Sequence, residues 1–311
     1  MNELAAAVRR REPTAVARAL NLIEDGREAS RSSIAALLDA LRDARDAGHR
    51  VGLTGAPGVG KSTLAGALAS EWRRRETSIA VVAVDPSSPR SGGSLLGDRA
   101  RMNVAPDDPG VFVRSLATGG RRGGLSWATH AACRVLGAGY QVVLVETTGV
   151  GQSETDVRTL ADTVVLVLQP GGGDALQFLK AGIMEIPDVL VVNKADLDRL
   201  AESTLEQLVS ALRALGRDPV VLATSATEGR GVDQLVDAID ARGVDPEHRR
   251  ESDVAWTLDL FRHRHGEHGV DALGGERSLR RFVADHLDAH APPELCAQLS
   301  ARYLEPPESR T

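Results

Sequence analysis

The sequence predicts an α/β fold with a mostly parallel central sheet, flanked by helical extensions at both ends. Three observations predict it. Short runs rich in β-branched residues recur through the middle of the chain, separated by stretches of helix length. Those runs barely alternate between apolar and polar, as expected of strands covered on both faces. The strand pattern is absent before residue 48 and after residue 243.

Each element can be justified in order. Residues 1–47 read as a helical extension: Val16, Leu20 and Ile23, then Ile34, Leu37, Leu38 and Leu41, recur at helical spacing among charged residues. Asp25-Gly26 marks a break and Ser30 a fresh N-cap. Residues 48–243 hold the strand runs Val51–Thr54, Ile79–Val84, Val111–Val113, Val142–Val145, Val164–Leu168, Val189–Val192 and Val220–Ala223. Between the last two, Leu205, Leu208, Val209, Leu212 and Leu215 form an amphipathic stripe. After Gly243-Val244-Asp245-Pro246, residues 244–311 read as two or three helices, with Pro292-Pro293 opening the last and Pro306-Pro307 closing it.

Composition removes several function classes. The 311 residues carry 37 Lys+Arg against 43 Asp+Glu, a net charge of −6, so no broad basic footprint for nucleic acid is expected. Aromatic residues are 3% of the chain, too few for a base-stacking platform. No apolar run approaches the ~18 residues of a membrane span, and Met1 to Arg11 lacks a secretory apolar core. Cys133 and Cys296 make no disulfide framework and no CxxC pair; Cys133 reads as a small core residue in a helix. The expectation is a cytoplasmic protein that meets neither nucleic acid nor membrane.

The chemistry sits at two strand ends. Gly55-Ala56-Pro57-Gly58-Val59-Gly60-Lys61-Ser62 matches G-x-x-x-x-G-K-[ST], follows a strand run and opens a helix, with Thr63 next on its first turn. Such a loop turns backbone N–H groups toward phosphates and adds the helix dipole. Lys61 is expected on the β- and γ-phosphates and Ser62 on Mg²⁺. Downstream, Asn193-Lys194-Ala195-Asp196 follows the strand Val189–Val192 and matches the N-K-x-D element of guanine-specific GTPases. A carboxylate at Asp196 suits guanine N1–H and the exocyclic amine, and would be left unpaired against adenine. Ser225-Ala226 resembles the S-A element whose backbone contacts guanine O6. The expected ligands are GTP and GDP.

Between these ends, the strand Val142–Val145 leads into Glu146-Thr147-Thr148-Gly149, where a Ras-like protein would have D-x-x-G, and Asp85 follows the second strand. Val84-Asp85-Pro86-Ser87-Ser88, the run Ser91-Gly92-Gly93-Ser94 to Asp98-Arg99-Ala100-Arg101-Met102, and Val145-Glu146 through Gly151-Gln152-Ser153-Glu154 closely resemble the MeaB/ArgK-like P-loop GTPases. That family comprises the methylmalonyl-CoA mutase-associated GTPases and the methylmalonic aciduria type A proteins. The likeness covers about residues 14–240, with five motifs in order.

The resemblance implies a P-loop NTPase of the signal recognition particle and metallochaperone branch. It implies a GTP-hydrolysing chaperone that gates cofactor loading and release for an adenosylcobalamin-dependent acyl-CoA mutase, and a homodimer built through the helical segment 244–311. It places Asp85 and Glu146 with Ser62 at the Mg²⁺ site, Asp98 on a switch position tied to hydrolysis, and Gly149 and Gln152 in a further switch. Pro170-Gly171-Gly172-Gly173-Asp174, with Gln177 and Lys180, resembles the segment coupling nucleotide to mutase. Arg114, Arg121 and Arg122 are candidates for an arginine finger, and none can be assigned. The run Thr118-Gly119-Gly120-Arg121-Arg122-Gly123-Gly124 departs from the family; Trp256 has a family counterpart, but residues 262–311 match it weakly. His263, His265 and His268 fit a solvated polar turn better than a metal site, and His286 with His290 lacks the glutamate of a zinc motif. The alternatives are a kinase of solute-binding transport proteins and a metal-insertion GTPase.

Overall fold

The computed structural model describes residues 1–44, 47–85, 108–117, 126–147, 153–171, 186–216 and 220–305. They fall into two compact units: residues 47–129 with 139–244, and residues 1–46 with 130–138 and 245–311. Among them no helix is long and apolar enough to cross a membrane.

The first unit is built on a seven-stranded parallel sheet: β1 (His49–Thr54), β2 (Ile79–Asp85), β3 (Val111–Ala117), β4 (Val142–Glu146), β5 (Thr163–Leu168), β6 (Val189–Val192) and β7 (Val220–Ala223), in the order β3-β2-β4-β1-β5-β6-β7. All seven strand runs read from the sequence are present. Period-two alternation divides the sheet residues between two cores. Val51, Leu53, Val165, Val167, Val189 and Val191 face one side with Leu64, Leu68 and Trp72 of α4 (Lys61–Arg74) and Leu235, Val236 and Ile239 of a later helix (Val232–Asp240). Leu166, Leu168, Leu190 and Val192 face the other, against Ala201, Leu208 and Leu212 of helix Arg199–Ala214.

Two sequence expectations need correction here. Strand β3 runs four residues further than its apolar core, through Arg114, Ser115, Leu116 and Ala117, because an edge strand tolerates half-exposed polar side chains while its backbone pairs with Val82–Asp85 of β2. Leu215 does not join the amphipathic stripe: it follows the last helical residue, Ala214, and is 59% exposed.

The second unit gathers helices from both ends of the sequence: α1 (Asn2–Arg9), α2 (Pro13–Glu24), α3 (Arg31–Ala40), residues 130–138, which include most of α5 (Trp127–Gly137), and the three carboxy-terminal helices. With α6 (Ser153–Leu160), α7 (Arg199–Ala214) and α8 (Val232–Asp240) in the first unit, these last are α9 (Pro246–Ala272), α10 (Gly275–His286) and α11 (Pro292–Leu304). Asp245 starts α9 by accepting from the backbone N–H groups of Glu247 and His248, with Pro246 on the first turn. Ser30 does precede α3, but its hydroxyl donates to Asp25 Oδ2 at 2.6 Å instead of capping the helix. The break before α3 is therefore closed by the Asp25 side chain, which also accepts from Arg27.

The histidine segment is helical, not a turn: His263 and His268 are exposed as expected, and His265 is not. Gly266, with φ 65°, interrupts α9, and His265 is held just before that break between the rings of Phe261 and Tyr303 at 4.8 and 4.9 Å. Its Nε2 lies 2.8 Å from Ser300 Oγ, and burial lowers its pKa. Helical periodicity and aromatic partners explain the difference, since imidazole presents an apolar body to other rings. His286 stacks on Phe282 and bonds to its carbonyl, and His290 pairs with Glu294. Trp256 is buried and stacks on His130 at 5.5 Å; Cys133 is fully buried in α5.

Candidate nucleotide site

Because every strand of the sheet is parallel, all seven carboxyl ends lie along one edge, where ligands bind in open α/β folds. The loop after β1 occupies the middle of that edge, flanked by the ends of β4 and β5. Two glycines there are obligatory. Gly55 has φ 145°, and a Cβ on it would stand 2.2 Å from the carbonyl oxygen of Val167. Gly60 has φ 97°, and its Cβ would stand 2.6 Å from Asn193 Nδ2. The loop is therefore packed so tightly against β5 and the base loop that a side chain at either position collides.

Lys61 opens α4 nearly buried, its ammonium donating to the carbonyls of Gly55 and Ala56 at 2.8 and 2.9 Å. The cation thus lies across the mouth of its own loop, on neutral acceptors that a phosphate oxygen outcompetes electrostatically. Ser62 Oγ donates to Glu146 Oε1 at 2.5 Å, joining the first turn of α4 to the tip of β4. Thr147 braces that tip through its backbone N–H to Leu53 O at 3.0 Å and its hydroxyl to Thr54 Oγ1 at 3.1 Å. Asp85 ends β2, two residues beyond Ala83, whose register partner is Glu146. A hydroxyl and a carboxylate in contact are hard oxygen donors, the set that suits Mg²⁺.

The base loop is stitched to the phosphate loop. Asn193 is buried; its Nδ2 donates to Val59 O at 3.0 Å, while its Oδ1 accepts from Thr224 Oγ1 at 3.1 Å and from the Ala226 N–H at 3.3 Å. Lys194, in the left-handed region at φ 61°, sends its ammonium to Gly58 O at 2.8 Å. Ser225 Oγ donates to Asp196 Oδ1 at 2.8 Å. That bond holds the Asp196 carboxyl below the usual range, with help from the backbone N–H of Asp196 and the nearby Arg230 and Lys194 charges. The result is an exposed carboxylate, ionised and fixed at one oxygen, with its remaining lone pairs open to a donor edge.

The structure thus brings together residues 55–63, Glu146, Asn193, Lys194, Asp196, Ser225 and Ala226. Arg114 lies within β3, opposite Val82 and short of the strand's carboxyl end. Asp98, Gly149, Gln152, Asp174, Gln177, Lys180, Arg121, Arg122 and Pro306-Pro307 lie outside the described residues, as does the Asp85 side chain. Sequence reading missed Thr224, which carries the Asn193 carbonyl, and Gln169, whose Oε1 accepts from Lys194 at 3.3 Å. A threonine directly before Ser-Ala was a usable signal for the first; a lone glutamine after β5 gave none.

A glycine-rich phosphate loop at a parallel sheet edge, cross-linked to an Asn-Lys-x-Asp loop, defines the class: a P-loop nucleotide-binding protein. Within it, the chain belongs to the family described as methylmalonyl Co-A mutase-associated GTPase MeaB, whose profile matches residues 16–267. It is similar to the GTPase ArgK of Escherichia coli, at 38% identity over 264 residues, 80% of each protein. It is also similar to the mouse methylmalonic aciduria type A homolog, mitochondrial, at 41% identity over 198 residues, 61% of this chain and 48% of that protein. The crystal structure of a protein described as LAO/AO transport system kinase superposes with a TM-score of 0.68 at 29% identity, over 96% of both chains.

Proposed function

We propose that this protein is a Mg²⁺-dependent GTP hydrolase that serves as chaperone to an adenosylcobalamin-dependent acyl-CoA mutase of the methylmalonyl-CoA mutase type. The single observation that carries the nucleotide reading is the Asp196 carboxylate, oriented by its Ser225 bond, which also lowers its pKa, and held in a loop that Asn193 ties to the phosphate loop. The mutase reading is supported by membership of a family named for that association.

In this reading the Lys61 ammonium leaves the Gly55 and Ala56 carbonyls for the β- and γ-phosphates, where its charge offsets what develops in phosphoryl transfer. Ser62 and Glu146, with Asp85, are the residues that would hold Mg²⁺. That ion, when bound, neutralises phosphate charge. Asp98 and Gln152 are proposed to order the attacking water. The segments holding Gly149 and Asp174, Gln177 and Lys180 are proposed to carry the nucleotide state to the mutase, and residues 244–311 to form the homodimer contact.

The test is GTP turnover measured alone and with each cobalamin-dependent mutase of the same organism. Stimulation by one of them is expected; no stimulation by any overturns the chaperone reading. The structural relative described as a transport system kinase favours a second reading, phosphoryl transfer to a transport-system protein. It predicts label from γ-phosphate on a protein acceptor, where hydrolysis releases all of it as inorganic phosphate.

A further inference from the structure

A cavity of about 550 Å³ lies between α4 and the chain that runs from Ala226 into the first turn of α8. Its α4 wall is one helical face, Thr63, Gly66, Ala67, Ser70, Glu71 and Arg74, and its opposite wall runs from Ala226 to Gly229, then Val232 and Asp233. Small residues leave the space open, and three of the rim side chains are carboxylates. Glu71 is engaged by Arg74 and Arg75, and Glu228 by Arg230. Asp233 makes no hydrogen-bonded ion pair through its carboxylate among the described residues, and the charge it faces across the cavity is Arg74.

The position of this cavity relative to a bound guanine follows from the shape of the base. With N1–H and the amine on Asp196 and O6 near the Ala226 N–H, the next atoms around the ring are N7 and C8, before N9 leads to ribose and the phosphates at Thr63. A cavity lined by both Ala226 and Thr63 therefore faces the O6–N7 edge. That edge presents two acceptors and no donor, and a guanidinium binds it through two parallel hydrogen bonds. The Ala226 N–H, whose hydrogen bond among the described residues is a 3.3 Å one to Asn193 Oδ1, would satisfy one lone pair of O6 and leave the other.

We propose that this cavity is a subsite for a guanidinium side chain presented by a partner protein, which reads the O6–N7 edge of the bound nucleotide while Asp233 holds the charge. The proposal rests on the guanine reading of the site. The alkyl stem of the arginine lies along Ala67 and Val232, and the guanidinium spans base edge and rim.

The probe is agmatine, a free alkylguanidine, in a GDP-binding titration on the full chain at matched ionic strength. Millimolar agmatine is expected to tighten GDP roughly five-fold, the low end of coupling between two contacting ligands. It should leave 7-deaza-GDP, which lacks the N7 acceptor, unaffected. Ala67→Leu, which fills the cavity, and Asp233→Asn, which removes the charge of its α8 wall, should each abolish the effect while GDP still binds. If GDP itself fails to bind, the guanine reading falls and takes this proposal with it. If GDP binds and agmatine tightens it no more than it tightens 7-deaza-GDP, the subsite alone is overturned.

Discussion

Replacing Asn193 by Ala should cost stability and nucleotide affinity together, which separates it from every other residue of the base loop. Its side chain is 2% exposed and makes three hydrogen bonds, to Val59 O, Thr224 Oγ1 and the Ala226 N–H. Truncation leaves the Val59 carbonyl and the Thr224 hydroxyl without that partner, and both residues are fully buried. A buried polar group stripped of its partner costs about 1–3 kcal/mol. Two such groups give about 2–6 kcal/mol, with the half-buried Ala226 N–H adding little because water reaches it. The assay is urea unfolding of the nucleotide-free chain, paired with GDP titration on the same preparation. A loss below about 0.5 kcal/mol, the range of surface substitutions, would refute the claim that Asn193 is the strut between the two loops. Thr224→Val should recover part of the loss in the double variant, because it removes one of the stranded groups.

Three further outcomes are expected. Asp196→Asn should shift preference from guanine to xanthine nucleotides with an unchanged unfolding midpoint, since the carboxylate is exposed and asparagine still accepts from Ser225; competition between GDP and XDP checks this. Asp253→Ala should cost about 3–5 kcal/mol by stranding Arg134, which the carboxylate binds through both oxygens at 2.8 Å with the two side chains 2% and 5% exposed. The double variant Arg134→Met with Asp253→Met should regain most of it in urea unfolding. Glu71 is held at a pKa of about 2, first by its hydrogen bond from Arg74, against an ordinary value of 4.5. A depressed pKa means the stabilisation is full above about pH 4.5 and lost as pH falls through about 2. Solvent screening limits it to about 1 kcal/mol, so Glu71→Gln should differ from the parent by that much at pH 7 and converge with it in acid, by thermal unfolding.

The strand runs and the two candidate-site loops at the sheet edge were legible because each is a local property. A run such as Val164–Leu168 must be buried wherever it lies, and Gly55 to Ser62 needs only its own spacing to make a phosphate loop. Arg114 and Leu215 were not, since whether a residue at the end of a run is paired, exposed or out of reach depends on which strand or helix lies beside it. His265 shows the same limit: its place between Phe261 and Tyr303 requires a helix thirty-odd positions away in sequence to return across it.

The sequence by itself determined the α/β class, the P-loop and the place of the Asn-Lys-x-Asp carboxylate at a strand end, all read from spacing within a few residues. Tertiary structure alone decided three things: that Asn193 and Lys194 bind the carbonyls of Val59 and Gly58, that Glu146 meets Ser62, and that the helices of both termini share one unit. The reason is physical. Those contacts join residues far apart in sequence, and only the order in which parallel strands assemble, β4 and β5 on either side of β1, brings their ends to one edge.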